Sequence, residues 1–156
     1  DDSYFVTGVG TVIGGTVTSG KLKSGETMLL GPDGNGQFRP VVIKSIHNRR
    51  QPVREVRAGK SAGFAVKKVK RNAVRKGMVL VHPSTKPRAS WFFTARIVVL
   101  YHSTTIQLNY QPVIQCLTIR QSASIVFIDK SDTLRTGDKA LVGFRFLYRP
   151  EYIKAG

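Results

Sequence analysis

Apolar and polar residues alternate with a period of two along most of this chain, the pattern of strands that bury one face. Residues 4–6, 11–19, 26–30, 38–47, 53–56, 62–66 and 78–82 carry it and are rich in Val, Ile, Thr and Phe. Between them, residues 20–25 predict a tight connection. Pro32-Asp33-Gly34-Asn35-Gly36 is the clearest reversal, because Asp, Asn and Gly tolerate the positive φ a tight turn demands. Pro40 comes early in its strand, where an edge or bulge accommodates it. Residues 67–76 read as a basic connection anchored by Val69 and Val74. No helical periodicity lasts longer than a turn or two. About seven short strands with turns at these intervals predict a closed all-β barrel.

Pro83-Ser84-Thr85-Lys86-Pro87 interrupts the pattern with two prolines and no apolar anchor, and reads as an interdomain linker. Strands resume at 90–101, 113–119, 123–128 and 139–148, with a turn at 134–138. In the last strand Leu141, Gly143, Arg145 and Leu147 share one face, while Val142, Phe144 and Phe146 share the other. The apolar bulk lies on the second face, which turns Arg145 toward solvent or RNA. The expected fold is all-β, two consecutive small barrels over residues 1–84 and 85–156.

Charge narrows the function. Lys and Arg total 25 against 9 Asp and Glu, a net charge of +16. So large an excess of one sign is self-repelling, and its usual partner is a polyanion, above all nucleic acid. An anionic membrane finds no support in an amphipathic basic helix or a long apolar run. The bases crowd residues 39–76, including Lys44, Arg49, Arg50, Lys67, Lys68, Lys70 and Arg71, and only Glu55 opposes them. Strand ends and loops hold most of these, so they can gather on one rim of a barrel and follow a phosphate backbone. Aromatic residues alternate with polar ones as core residues do, which argues against base stacking.

Two nucleotide motifs fail on inspection. Gly8, Gly10 and Gly14 give G-x-G-x-x-x-G rather than the dinucleotide fingerprint. Residues 15–21 imitate a phosphate loop until Leu22 replaces the magnesium-binding Ser or Thr. Both motifs also require a following helix. Catalysis is poorly supported. His47, His82 and His102 lack ligand spacing, Cys116 has no near partner, and Asp33, Asp132 and Asp138 sit in turns. No catalytic, cofactor-binding or metal-binding residue is assigned, and the chain is expected to act without catalysis. The single cysteine excludes an internal disulfide and fits a reducing, cytoplasmic setting. Asp1-Asp2 opens on a folded-looking segment rather than a basic leader, so the chain is expected to be part of something longer.

The order of motifs resembles the second domain of the translational GTPases: Gly8-Val9-Gly10-Thr11-Val12-Ile13-x-Gly15, Gly20-x-Leu22-x-x-Gly25-Glu26, Val42-Ile43-Lys44-Ser45-Ile46, Arg57-Ala58-Gly59, Gly63-Phe64 and Arg75-Lys76-Gly77-Met78-Val79-Leu80. Phe93-Thr94-Ala95-x-Ile97-Val98-x-Leu100-x-His102, Tyr110-x-Pro112-Val113, Cys116-x-Thr118 and Arg135-Thr136-Gly137-Asp138-Lys139-Ala140 are similar to the third domain of elongation factor 1A. Residues 121–125 and 144–152 look closer still to the GTP-binding protein 1 and 2 branch. The resemblance covers essentially the whole chain.

It implies two barrels following a GTPase domain outside these residues, where GTP and magnesium would bind. The second barrel is expected to be truncated, with an exposed edge. It also implies a pocket for the 3′ acceptor end of tRNA at Val6, Gly8, Gly10, Val12, His47 and Ser61. His47 falls where the family has an acidic residue and Ser61 where it has Asn. The T stem of tRNA would meet Arg120, Gln121 and Ser122, while Lys44, Arg49, Arg50, Lys67, Lys68, Lys70 and Arg71 would follow RNA backbone. Expected partners are tRNA, the ribosome and the protein's own GTPase domain, with no membrane, no small-molecule substrate and a monomeric state. The rival expectation is a protein-interaction module that docks an effector or the GTPase domain without touching RNA.

Overall fold

The computed structural model describes residues 2–6, 9–102 and 104–154, with side-chain geometry for 9–102 and 104–154. The first half contains β1 (Asp2–Val6), β2 (Gly10–Thr16), β3 (Lys21–Lys23), β4 (Thr27–Gly31), β5 (Arg39–Asn48), β6 (Gln51–Val53), β7 (Glu55–Arg57), β8 (Ser61–Val66) and β9 (Val79–Val81). The strands β1, β2, β8, β5, β4 and β9 neighbour one another in that order, every pair antiparallel. The short β6 folds back on β5, and β3 and β7 form a separate ribbon. One curled sheet thus wraps a core that includes Ile13, Met28, Ile43, Ile46 and Phe64.

Strict alternation would turn Ile46 outward, since Val41 and Ile43 face the core. A register shift between Ile43 and Ser45 inserts one residue, so Lys44 points out and Ile46, fully buried, returns to the core. The turn read at residues 32–36 closes as its chemistry requires. Asp33 Oδ1 accepts from the amides of Asn35 and Gln37, both at 2.9 Å, and Gly36 takes φ +82°. One expectation fails here. Residues 20–25 are not merely a connection, because Lys21-Leu22-Lys23 is a three-residue alternation that pairs with Glu55–Arg57 and buries Leu22.

The second half contains β10 (Phe92–Val98), β11 (Ile106–Gln107), β12 (Val113–Cys116), β13 (Ile119–Ile128), β14 (Thr133–Leu134) and β15 (Lys139–Phe146). Its four-stranded sheet runs β10-β15-β13-β12, and β11 pairs with β14. Phe93 stacks on Phe144 at 5.0 Å and 16° in a separate core with Ile125, Val142 and Phe146. Arg145 faces outward as expected, its guanidinium 5.8 Å from the Trp91 ring and 5.7 Å from Phe92.

Several boundaries differ from the sequence reading, the first strand spanning Phe92–Val98 rather than 90–101, and two of the differences change strand pairing. Leu117, at φ 55°, turns the chain early, so residues 120–122 are strand rather than a gap. Leu134 leaves its expected turn to pair with Ile106, because both can be buried only together. The all-β expectation holds throughout. Among the described residues the helical pieces are short 3-10 turns, and no helix is long and apolar enough to cross a membrane.

Residues 83–87, read as a linker, include a 3-10 turn at Pro83–Thr85. The two cores lie on either side of it in sequence, yet their outer residues meet. Phe38 packs edge-on against Tyr152 at 5.9 Å, and a Cβ on Gly36 would stand 3.1 Å from Pro150 Cγ. Ser90 and Glu151 exchange both backbone hydrogen bonds, at 2.9 and 3.0 Å, anchoring the end of the chain beside the start of the second half.

Candidate nucleic-acid interface

Two basic grooves open on the first sheet. The larger, of about 1550 Å³, has walls from β2, the β5–β6 hairpin, β7 and β8. Its floor is nearly bare backbone. Gly14 and Gly63 stand opposite each other in the β2–β8 register, next to Gly15 and Ala62, so little side chain fills the space above. Val12 and Val56 supply apolar surface, and both are buried. His47 and Ser45 share a 3.0 Å hydrogen bond, and the Ser61 and Thr16 hydroxyls lie 2.7 Å apart. Arg49, Arg50, Arg57 and Lys60 also line the groove, with Glu55 as its carboxylate. Glu55 lies 3.4 Å from Arg57, an exposed pair that leaves the wall cationic.

The second groove, of about 750 Å³, lies between the start of β2 and the loop after β8. Thr11 is buried there and donates to Val69 O at 2.6 Å, which fastens the loop to the sheet. Lys44 Nζ donates to Val9 O at 3.4 Å. Lys67, Lys68, Lys70 and Arg71 are exposed along this loop, and Lys68 adopts φ 56°. Lysines and an arginine on a fastened loop form a surface suited to a phosphate backbone.

The residues expected at the acceptor-end pocket therefore divide. Val12, His47 and Ser61 meet in the first groove, joined by Arg49 and Arg50, which were read as backbone contacts. Gly10, at φ +103°, lines the second. Val6 pairs with Gly10 in the β1–β2 register, its side chain outside the description, and Gly8 lies outside the described residues. Lys44, Lys67, Lys68, Lys70 and Arg71 line the second groove together, apart from Arg49 and Arg50.

Arg120 is exposed on β13 and Ser122 half-buried. Gln121 requires a correction. It is buried, its Oε1 accepts from the Tyr148 and Arg149 amides at 2.7 and 2.9 Å, and its Nε2 donates to Arg149 O at 3.1 Å. All its hydrogen bonds go to the adjoining backbone, so it is turned away from any RNA. The sequence reading overlooked Gly14, Gly15, Gly63 and Lys60 as groove residues. Their signal was the run of glycines facing one another across two strands, visible only once β2 and β8 are paired.

The glycine-rich run 10–16 is itself β2, with its backbone laddered to β1 and β8. No helix N-terminus follows it, so it does not fit a nucleotide phosphate. Among the described residues no group of three or more His, Cys, Asp or Glu could hold a metal ion. Cys116 is half-buried, and His102 Nδ1 lies 2.7 Å from Thr104 O.

Together these features define a class: an all-β module whose concave surfaces are lined by cations over exposed backbone. Residues 10–81 match the family described as Elongation factor Tu domain 2, which fits the translational GTPase superfamily. It is 53% identical to GTP-binding protein 1 of Xenopus laevis over 98% of this chain and 23% of that protein. To GTP-binding protein 2 of Homo sapiens it is 42% identical, over the whole chain and 26% of that protein. Elongation factor 1-alpha of Archaeoglobus fulgidus is 36% identical over 87% of this chain and 31% of its own length. The chain thus spans about a quarter of the length of the two GTP-binding proteins.

Proposed function

We propose that this chain is the RNA-binding, ribosome-facing portion of a GTP-binding protein of the translational type. Its first groove takes the 3′ acceptor end of tRNA, and the lysine-rich groove follows an RNA backbone. The T stem lies against the second sheet near Arg120. GTP and magnesium bind in a GTPase domain elsewhere in the longer protein, which acts in the cytoplasm and controls when RNA is held. The observation that carries this reading is the convergence of Val12, His47, Arg49, Arg50 and Ser61, from β2, the β5–β6 hairpin and β8, on one open groove. Residues from three segments of the chain, 12, 47–50 and 61, share this cationic cleft over glycine backbone, an arrangement suited to the end of an RNA strand.

The test is equilibrium binding of charged and uncharged tRNA to the whole GTP-bound protein across a salt series. Tight binding with a steep negative slope of log affinity on log salt is expected. Indifference to tRNA, or a flat slope, would sink the reading.

A second reading has its own observation. Trp91, Phe92, Phe127 and Tyr148 are exposed on the second half, a surface suited to docking an effector or the GTPase domain. Charge reversal at Lys67, Lys68, Lys70 and Arg71 separates the two, because docking through that face would survive it.

A further inference from the structure

The second sheet turns one face away from its core. β10 presents Phe92, Thr94 and Arg96 there, and Arg145, Gly143 and Leu141 stand opposite them in turn on β15. The aromatic residues of this half therefore do not all serve the core, as their alternation with polar residues suggested. Phe93 does, while Phe92 beside it is 59% exposed.

Phe127 reaches the same face by another route. Ile125 is buried opposite Phe144, so strict alternation would send Phe127 inward as well. A register shift inserts one residue, and Phe127 instead lies outward, opposite Gly143 and 48% exposed, while Ile128 returns to the core. Gly143 makes room for it, since a Cβ there would stand 3.1 Å from Phe127 Cβ. Arg145 is placed beside both rings, opposite Phe92 and two positions along β15 from Gly143. Its guanidinium lies 5.7 Å from the centre of the Phe92 ring and 5.8 Å from that of Trp91.

The charge of this face is of one sign. Arg96, Arg120, Lys139 and Arg145 are exposed on it, and none makes an ion pair among the described residues. The strands β10, β12, β13 and β15 contain no Asp or Glu. Asp129, just past β13, accepts from the Leu141 amide at 3.0 Å. A protein docking here would have to answer four cations with acids of its own, whereas a polyanion does so by composition. Duplex RNA keeps its base faces inside its own stack. A single strand offers free base faces to the rings and guanidinium, and phosphates to the cations.

We propose that this outer face is a stacking platform for single-stranded RNA, with bases on Phe92 and Phe127 and the backbone on Arg145 and its cationic neighbours. The site lies in the other half from the two grooves and does not rest on the acceptor-end reading.

The test titrates the whole protein and two variants, Phe92→Leu/Phe127→Leu and Phe92→Tyr/Phe127→Tyr, with a short unstructured oligoribonucleotide and with the same strand paired to its complement. A fluorophore on the 3′ end keeps the first groove from reporting a free terminus. The leucine pair should bind the single strand about tenfold more weakly, with the slope of log affinity on log salt unchanged, because stacking rather than charge has been removed. The tyrosine pair keeps both ring faces and should bind as the native protein does. Affinity for the duplex should be the same in all three proteins.

Native-like binding of the single strand by the leucine pair overturns the platform. If that variant also melts at a lower temperature, the rings serve only to cover the sheet, as an aromatic over a glycine does. A tyrosine pair weakened as much as the leucine pair overturns it too, since packing and not stacking would then be at stake. So does an equal loss for the duplex. If the native protein binds no single strand at all, the platform is overturned and the face is left to an acidic protein partner.

Discussion

Arg75 Nη1 donates to Glu151 Oε1 at 3.1 Å although 76 positions separate the two residues. The same guanidinium donates through Nη2 to Pro32 O at 2.9 Å, so it ties the end of β4 to the last described stretch of the chain. Glu151 is completely buried and Arg75 about one quarter exposed. Arg149 Nε stands 3.8 Å from the same carboxylate oxygen. One member of the basic run read as an RNA surface is thus directed inward, where it holds the two halves in register.

Removing the carboxylate's charge tests that. Glu151→Gln preserves shape but strands a largely buried guanidinium, and should lower stability by about 2–3 kcal/mol. Arg75→Met/Glu151→Leu should recover most of the loss, because the carboxylate is only partly satisfied: among the described residues Glu151 Oε2 has no hydrogen-bond partner. Urea denaturation of the single and double variants measures both. An unmoved midpoint for Glu151→Gln would show that the contact does not hold the halves.

The lysine-rich groove makes a prediction in salt rather than in stability. Lys67→Ala and Lys70→Ala each remove one exposed cation and should each flatten the log affinity–log salt slope for RNA by about 0.7 to 0.9. Thermal midpoints should stay where they are, since neither side chain is buried. A slope unchanged in both would place the backbone contact elsewhere.

What the sequence made legible is what local chemistry decides. Asp33, Asn35 and Gly36 announce their turn because each is suited to a backbone state that few residues accept. The inward face of β15 is readable because Val142, Phe144 and Phe146 alternate without interruption. Legibility ended where a long-range partner made the choice. Leu22 is one apolar residue between two lysines, and only β7, more than thirty positions on, makes it core. The shift between Ile43 and Ser45 leaves no trace in composition. Of the site, the charges were visible and the glycine floor was not, because Gly14 and Gly63 acquire meaning only by facing each other.

Gln121 illustrates the same limit and yields a prediction. In sequence, Arg120-Gln121-Ser122 is three polar residues on a strand, and nothing distinguishes the one that turns inward. Gln121→Ala should strand the Tyr148 and Arg149 amides and lower stability by about 2–3 kcal/mol, with RNA affinity unchanged under conditions where the protein stays folded. Arg120→Ala should do the reverse. Paired measurements of melting and tRNA binding decide it, and a loss of affinity without loss of stability in Gln121→Ala would restore that residue to the RNA surface.

The groove floor can be closed without disturbing the sheet. Gly15 lies in β2, its φ is outside the positive range, and a Cβ there would meet no atom within 4 Å. A β-branched residue in such a strand is conformationally welcome, so Gly15→Val should leave stability equal to or slightly above that of the native protein. Gly15 shares the Ile13 and Ala62 face of the sheet, so the added methyls would narrow the groove on its Val53, Val56 and Ala62 side. Binding of a 3′-terminal oligoribonucleotide should fall by about tenfold, while the salt slope for long RNA stays the same, because the lysine-rich groove is untouched. Gly59 is the control, since its φ of +89° makes any side chain strained and mixes stability with affinity. If Gly15→Val binds the RNA end as well as the native protein does, the groove is not where that end goes, and the cationic surface acts on RNA through its backbone alone.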